Sequence, residues 1–188
     1  MTKLYVSRNE TTITAQPVKK DTTSTATNSV KILGIDPGRT TGYANITVTD
    51  RKISLGEFGL TYNMDLLAIK DHIINADVIV YESFYVRPDM AMSGKFNWQE
   101  MPALQVIGSL MTLCSLYQKS TVVKQQPSQR VPGYAFAGLN YKQKAKGKHW
   151  QDALAHACFY AVKNLHAVPV GVSANASGNV NKADGLPD

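Results

Sequence analysis

Residues 31–48 read KILGIDPGRTTGYANITV, and the fold turns on how that stretch divides. Residues 32–35 are a short aliphatic run bounded by turn residues, which predicts a buried strand, and Asp36 stands where that strand leaves the core. Pro37 lacks the N–H that a strand ladder needs, and Gly38 reaches backbone angles closed to other residues. The chain must therefore turn there, with Arg39, Thr40 and Thr41 as the connection. Residues 43–48 then predict a second strand, antiparallel to the first. An Asp before Pro-Gly can simply start a turn; the partners that follow give Asp36 a further meaning.

Outward from this hairpin, residues 52–59 predict a third strand that continues the meander. Residues 62–75 carry Leu66, Leu67, Ile69 and Ile73 at helical spacing. Residues 77–81, DVIVY, have the near-continuous apolar character of a strand covered on both faces, and the run ends at Glu82. A polar, aromatic loop follows. Residues 101–117 predict a helix, with Leu104, Ile107, Leu110, Met111 and Cys114 along it and Pro102 in its first turn, where proline is tolerated. Residues 121–124 predict a fifth strand, 127–147 a connection, and 149–166 the last helix. The fold class predicted is α/β: a five-stranded mixed sheet, a three-strand antiparallel meander plus parallel strands, flanked by helices. The first and fourth strands, both buried, are predicted to be parallel neighbours joined by a right-handed crossover, so that Asp36 and Glu82 reach the same end of adjacent central strands. Residues 1–30, rich in Thr, Ser and Asn, predict a disordered arm, and residues 169–188 a disordered tail, around one domain at 31–168.

The chain of 188 residues is 44% hydrophobic and 18% charged, enough for a single core. Cys114 and Cys158 sit in apolar patterns and form neither a C-x-x-C pair nor a disulfide framework, which points to a reducing, cytoplasmic setting. No apolar stretch approaches the roughly 20 residues needed to cross a bilayer, and no signal-peptide core is present, so a soluble protein without a membrane partner is expected. The net charge of +6 is unevenly spread. No acid occurs between Glu100 and Asp152, whereas Lys119, Lys124, Arg130, Lys142, Lys144, Lys146 and Lys148 all fall there. Such a cluster is either a solvated basic surface or a face that tracks the phosphates of a nucleic acid.

Two carboxylates brought to one end of a sheet repel each other unless a cation lies between them. The last helix opens with His149 and Asp152, three residues apart and so on one face. If that face meets the strand ends, the set becomes Asp36, Glu82, His149 and Asp152. Three hard oxygen ligands and one imidazole suit Mg2+ or Mn2+ better than a structural zinc. Two such ions roughly 4 Å apart can activate water and stabilise the leaving oxygen of an in-line attack on a phosphodiester. His72, His156 and His166 lie on helical patterns without acidic partners at ligand spacing and read as structural. Phe84, Tyr85, Phe96 and Trp98 cluster after Glu82, either as core or as platforms for unpaired bases. Arg39, Arg87 and Lys95 are candidate phosphate contacts on that rim, joined by Arg130, Lys142, Lys144, Lys146 and Lys148 of the basic stretch.

Taken together, IDPG at 35–38 with TTGYA at 40–44, DVIVYES at 77–83 and HWQDALAHA at 149–157 resemble the RuvC family of Holliday-junction resolvases, within the ribonuclease H-like superfamily. The resemblance covers residues 31–166. It implies a ribonuclease H-like sheet, a site of four ligands and two metal ions, a homodimer, and cleavage of branched DNA in symmetrically related strands. On that resemblance Asp36 bridges both ions, Glu82 binds one, and His149 and Asp152 complete the site. Tyr85 matches the aromatic that approaches the junction in such resolvases. The Ser-Phe-Tyr after Glu82 and the Gln-Gln-Pro-Ser at 125–128 look most like the phage-encoded branch.

Actin-like ATPases and sugar kinases also open with a strand, an Asp and a Gly-Thr hairpin. They close a second, similar domain over the nucleotide, and this sequence holds neither the length nor a second hairpin. A non-catalytic junction-binding module, and a nuclease of the same fold acting on flaps, forks or RNA hybrids, are the other readings of the same residues.

Overall fold

A computed structural model of the chain describes residues 28–84, 92, 101–143 and 148–170. Strands β1 (Ser29–Asp36), β2 (Thr41–Thr49) and β3 (Lys52–Thr61) form the antiparallel meander. A 3-10 turn at Leu67–Ile69 runs into α1 (Lys70–Asn75), followed by β4 (Val78–Glu82), α2 (Pro102–Leu116) and β5 (Val122–Gln125). A second 3-10 turn, Pro127–Gln129, leads to α3 (Arg130–Phe136); a third, Tyr141–Gln143, precedes α4 (His149–Asn164). The sheet order is β3-β2-β1-β4-β5, with β4 parallel to both β1 and β5. This is the mixed five-stranded sheet, an antiparallel meander plus parallel strands, that the pattern predicts. Because Ile35 lies opposite Tyr81, Asp36 and Glu82 are the next residues along the two central strands, and Glu82 in turn lies opposite Gln125.

Strand alternation divides the core in two. Ile32, Ala44, Ile46 and Val80 face α4, whose Ala153, Leu154, Ala157, Cys158 and Ala161 cover them. Leu33, Ile35, Ile79 and Tyr81 face the other way, against Ile69 and Ile73 of the α1 segment and Val106, Leu110 and Cys114 of α2. On the α4 side the fit requires two glycines. A side chain at Gly34 would strike the Ala153 carbonyl, and one at Gly42 the backbone of His149 and Trp150, so α4 lies directly on the backbone of β1 and β2. That contact delivers the first turn of α4 to the strand ends.

Several boundaries differ from expectation. The helix predicted over 62–75 begins only at Leu67, because Asp65 Oδ1 accepts hydrogen bonds from the Leu67 and Ala68 N–H groups (3.0 and 3.3 Å) and so sets the start. Asn63 and Met64 before it have left-handed backbone angles, and Leu67 is exposed rather than part of the apolar face. On α2 the buried row is Val106, Leu110 and Cys114, which turns Leu104 outward. The predicted connection at 127–147 contains α3. Pro132 falls in the first turn of α3, where no intrahelical N–H is needed. Residues 1–27 of the predicted arm, 171–188 of the predicted tail, and Tyr85, Arg87, Lys95, Phe96, Trp98, Lys144 and Lys146 lie outside the described residues.

Candidate metal centre

Asp36 ends β1, and its Oδ2 lies 2.8 Å from Nδ1 of His149 in the first turn of α4. One helical step on, Asp152 is buried, with an oxygen that completes a cluster: one ligand atom each from Asp36, His149 and Asp152 lie within 4.8 Å of one another. Burial raises the Asp36 pKa above its ordinary value. The His149 hydrogen bond pulls it back, and the negative charges of Asp152 and Glu82 raise it again. Burial first, and the neighbouring carboxylates after it, thus disfavour the charged Asp36, a cost that a divalent cation would relieve. Two carboxylates and an imidazole without a thiol also form a donor set that suits Mg2+ or Mn2+.

Glu82 stands beside this cluster with its own partners. His156 Nε2 lies 2.7 Å from Glu82 Oε2 and Arg130 Nη1 lies 3.3 Å from the same oxygen; Arg130 Nη1 is also 3.5 Å from Asp152 Oδ2. Burial works against the Arg130 charge, but Glu82 and Asp152 outweigh it and leave the guanidinium pKa raised. The Tyr141 ring covers the guanidinium, with the arginine carbon 5.9 Å from the ring centroid. Tyr134 donates its hydroxyl hydrogen to Asp152 Oδ1 at 2.9 Å. Burial and the Asp152 charge push the Tyr134 phenol far above its ordinary pKa, so it remains a donor.

Asp36, His149 and Asp152 are thus brought together, and Glu82 lies next to them at the same end of the strands. Arg130, expected on a phosphate-facing surface, is instead turned into the acidic cluster. Arg39 is exposed in the β1–β2 turn, Lys148 is half-buried at the head of α4, Lys142 is exposed, and Phe84 is half-buried just past β4. His156 and His72, read as structural for want of acidic partners at ligand spacing, have such partners from elsewhere in the chain. His156 meets Glu82 from a helix separated from it by 74 residues, and His72 Nε2 lies 3.5 Å from Glu57 Oε1. The available signal for His156 was the i, i+3, i+7 stripe of His149, Asp152 and His156 on α4. Tyr134 carried no comparable signal.

No family profile and no curated protein sequence matches the chain. The chain has some similarity to several solved structures. RuvC of T. thermophilus in complex with Holliday junction substrate is 16% identical at a TM-score of 0.48, covering 70% of this chain and 94% of that one. The yeast mitochondrial Holliday junction resolvase Ydc2 is 13% identical at 0.46, covering 70% and 78%. Fowlpox virus resolvase, with its substrate Holliday junction DNA, is 13% identical at 0.45, covering 70% and 97%.

Proposed function

We propose that the chain is a divalent-metal-dependent endonuclease that hydrolyses phosphodiesters of branched DNA, four-way junctions in particular. The observation that carries this reading is the convergence of Asp36, His149 and Asp152 within 4.8 Å, with Glu82 alongside, at the open end of the central strands. Asp36, His149 and Asp152 would hold one Mg2+ or Mn2+, and Glu82 with Asp36 a second. When bound, such ions polarise the phosphate and lower the pKa of the attacking water. The protein's own groups prepare for this. Tyr134 keeps Asp152 fixed, Arg130 offsets part of the acidic charge, and the direct seat of α4 on Gly42 fixes His149. Arg39 and Lys148 lie on elements that adjoin the cluster and would contact flanking phosphates, with Lys142 beyond them. The resemblance over residues 31–166 supports junctions as substrate and a homodimer as the working form, since two symmetrically placed cuts call for two sites.

Labelled four-way junction, flap, duplex and RNA–DNA hybrid incubated with the protein in Mg2+ test the reading. Cleavage of the junction is expected, lost in Asp36→Asn while junction binding persists. No cleavage of any branched substrate, or equal cleavage by Asp36→Asn, refutes it. Preference for flap or hybrid over junction would keep the nuclease and replace the substrate.

A further inference from the structure

Within that metal-centre reading, on which this inference rests, we infer that His156 is a positioning residue: its Nε2–H holds Glu82 Oε2 and so keeps the carboxylate available to a cation instead of surrendering it to Arg130. His156 is fully buried on α4, seven residues after His149 and four after Asp152, and both its ring nitrogens are engaged. Nε2 donates to Glu82 Oε2 at 2.7 Å, and Nδ1 lies 2.6 Å from the end of the Gln125 side-chain amide, which with its O and N exchanged donates an N–H to the Nδ1 lone pair. Gln125 is itself buried and is the residue opposite Glu82 in the β4–β5 register. The imidazole therefore locks the ends of two neighbouring strands to the helix that supplies His149 and Asp152.

A histidine satisfied on both sides in a core would ordinarily serve packing alone. Here the partner is one of the four candidate ligands, and a competitor stands beside it. Arg130 Nη1 approaches the same Oε2 at 3.3 Å, and both described contacts of Glu82 use that oxygen, leaving Oε1 in neither. Without His156, Glu82 can rotate onto the guanidinium and close both oxygens on it, a bidentate geometry that arginine favours. The carboxylate would then be neutralised by the protein itself. Partners that orient a ligand from behind typically change metal affinity by about 10- to 100-fold when removed.

The test is the Mn2+ binding isotherm of the full chain, followed by calorimetry and by the loss of the free-ion paramagnetic resonance signal, for the wild type, His156→Leu and His156→Gln. For the wild type two ions are expected. In His156→Leu the first is expected within about twofold of wild type and the second at least about tenfold weaker, while junction affinity is unchanged and kcat falls. His156→Gln retains an N–H donor and is expected to recover most of the second-ion affinity. Equal isotherms for wild type and His156→Leu overturn the positioning role and leave the metal centre standing. Absence of any Mn2+ binding by the wild type overturns both. Failure of His156→Gln to recover what His156→Leu loses assigns the effect to packing and overturns the role. If His156→Leu does not fold, Gln125→Met, which removes the support behind Nδ1, decides in the same assay: a weaker second ion is expected, and an unchanged one refutes the inference.

Discussion

Replacing Gly42 with alanine adds one carbon at the place where β2 meets the first turn of α4. That carbon would lie 2.6 Å from Trp150 N and nearer still to the His149 carbonyl, all backbone atoms that no rotamer change can clear. To restore the 3.4 Å at which ordinary contact begins, the nearest of these atoms, in the His149 carbonyl, must retreat by about 1.2 Å. A retreat of that size along the His149 Nδ1–Asp36 Oδ2 line takes 2.8 Å to about 4.0 Å, beyond hydrogen-bond length. Forcing an extra carbon into a closed contact costs roughly 1–3 kcal/mol, and displacing a site group by an ångström can lower turnover by about 100-fold. Urea denaturation and Mn2+ titration read the two effects separately. Gly108→Ala is the control: a side chain there meets nothing within 4 Å on exposed α2, and the change should be neutral or stabilising by up to about 1 kcal/mol. A Gly42→Ala protein with wild-type stability and wild-type Mn2+ affinity would refute the claim that this close approach sets the site.

Arg130→Met removes the cation that faces Glu82 and Asp152. In metal-free buffer it should lose roughly 1–3 kcal/mol, less than a fully buried pair would because the guanidinium is partly exposed. The deficit should shrink as Mn2+ is added, since ligand that binds only the folded state restores stability. A deficit unaffected by Mn2+ in melting experiments would contradict the proposed sharing of charge. Burial pushes the Cys158 thiol up to about 12 from 9.0. Its folded-state pKa is raised, so its contribution to stability is complete below pH 9 and declines as pH climbs from there. Dithionitrobenzoate should leave the native protein unlabelled at pH 8 and titrate both cysteines in guanidinium. Rapid native labelling of Cys158 would refute its burial.

The sheet is legible in the sequence because its signals are local: aliphatic runs end at turn residues, and the double burial of 32–35 and 77–81 makes them central neighbours. From that adjacency the apposition of Asp36 and Glu82 follows without any knowledge of side-chain positions. The i, i+3 spacing likewise anticipates that His149 and Asp152 act together. What escapes such reading is decided by tertiary contact. The α3 segment, Arg-Val-Pro-Gly-Tyr-Ala-Phe, has poor helix propensity and forms against α4, where a side chain at Gly133 would strike the Ala155 carbonyl. The Glu82 partner of His156 and the Asp152 partner of Tyr134 come from other elements, so the periodicity of α4 aligns His156 with His149 and Asp152 but names neither partner. The late start of α1 was readable in principle from Asp65, a residue type that favours helix caps.

The bond between His149 and Asp36 joins residues 113 apart in the chain. During synthesis β1 and its Asp36 emerge first, and the helix that completes the cluster emerges last. Until then the sheet face made of Ile32, Ala44, Ile46 and Val80 has no cover. Contacts of such long sequence separation form late, because loop closure must precede them. A ribosome-bound chain stalled before residue 149 therefore carries Asp36 and Glu82 but neither His149 nor Asp152 of the cluster. On the proposed function, every unfinished copy of the protein lacks the residues that would complete its metal centre.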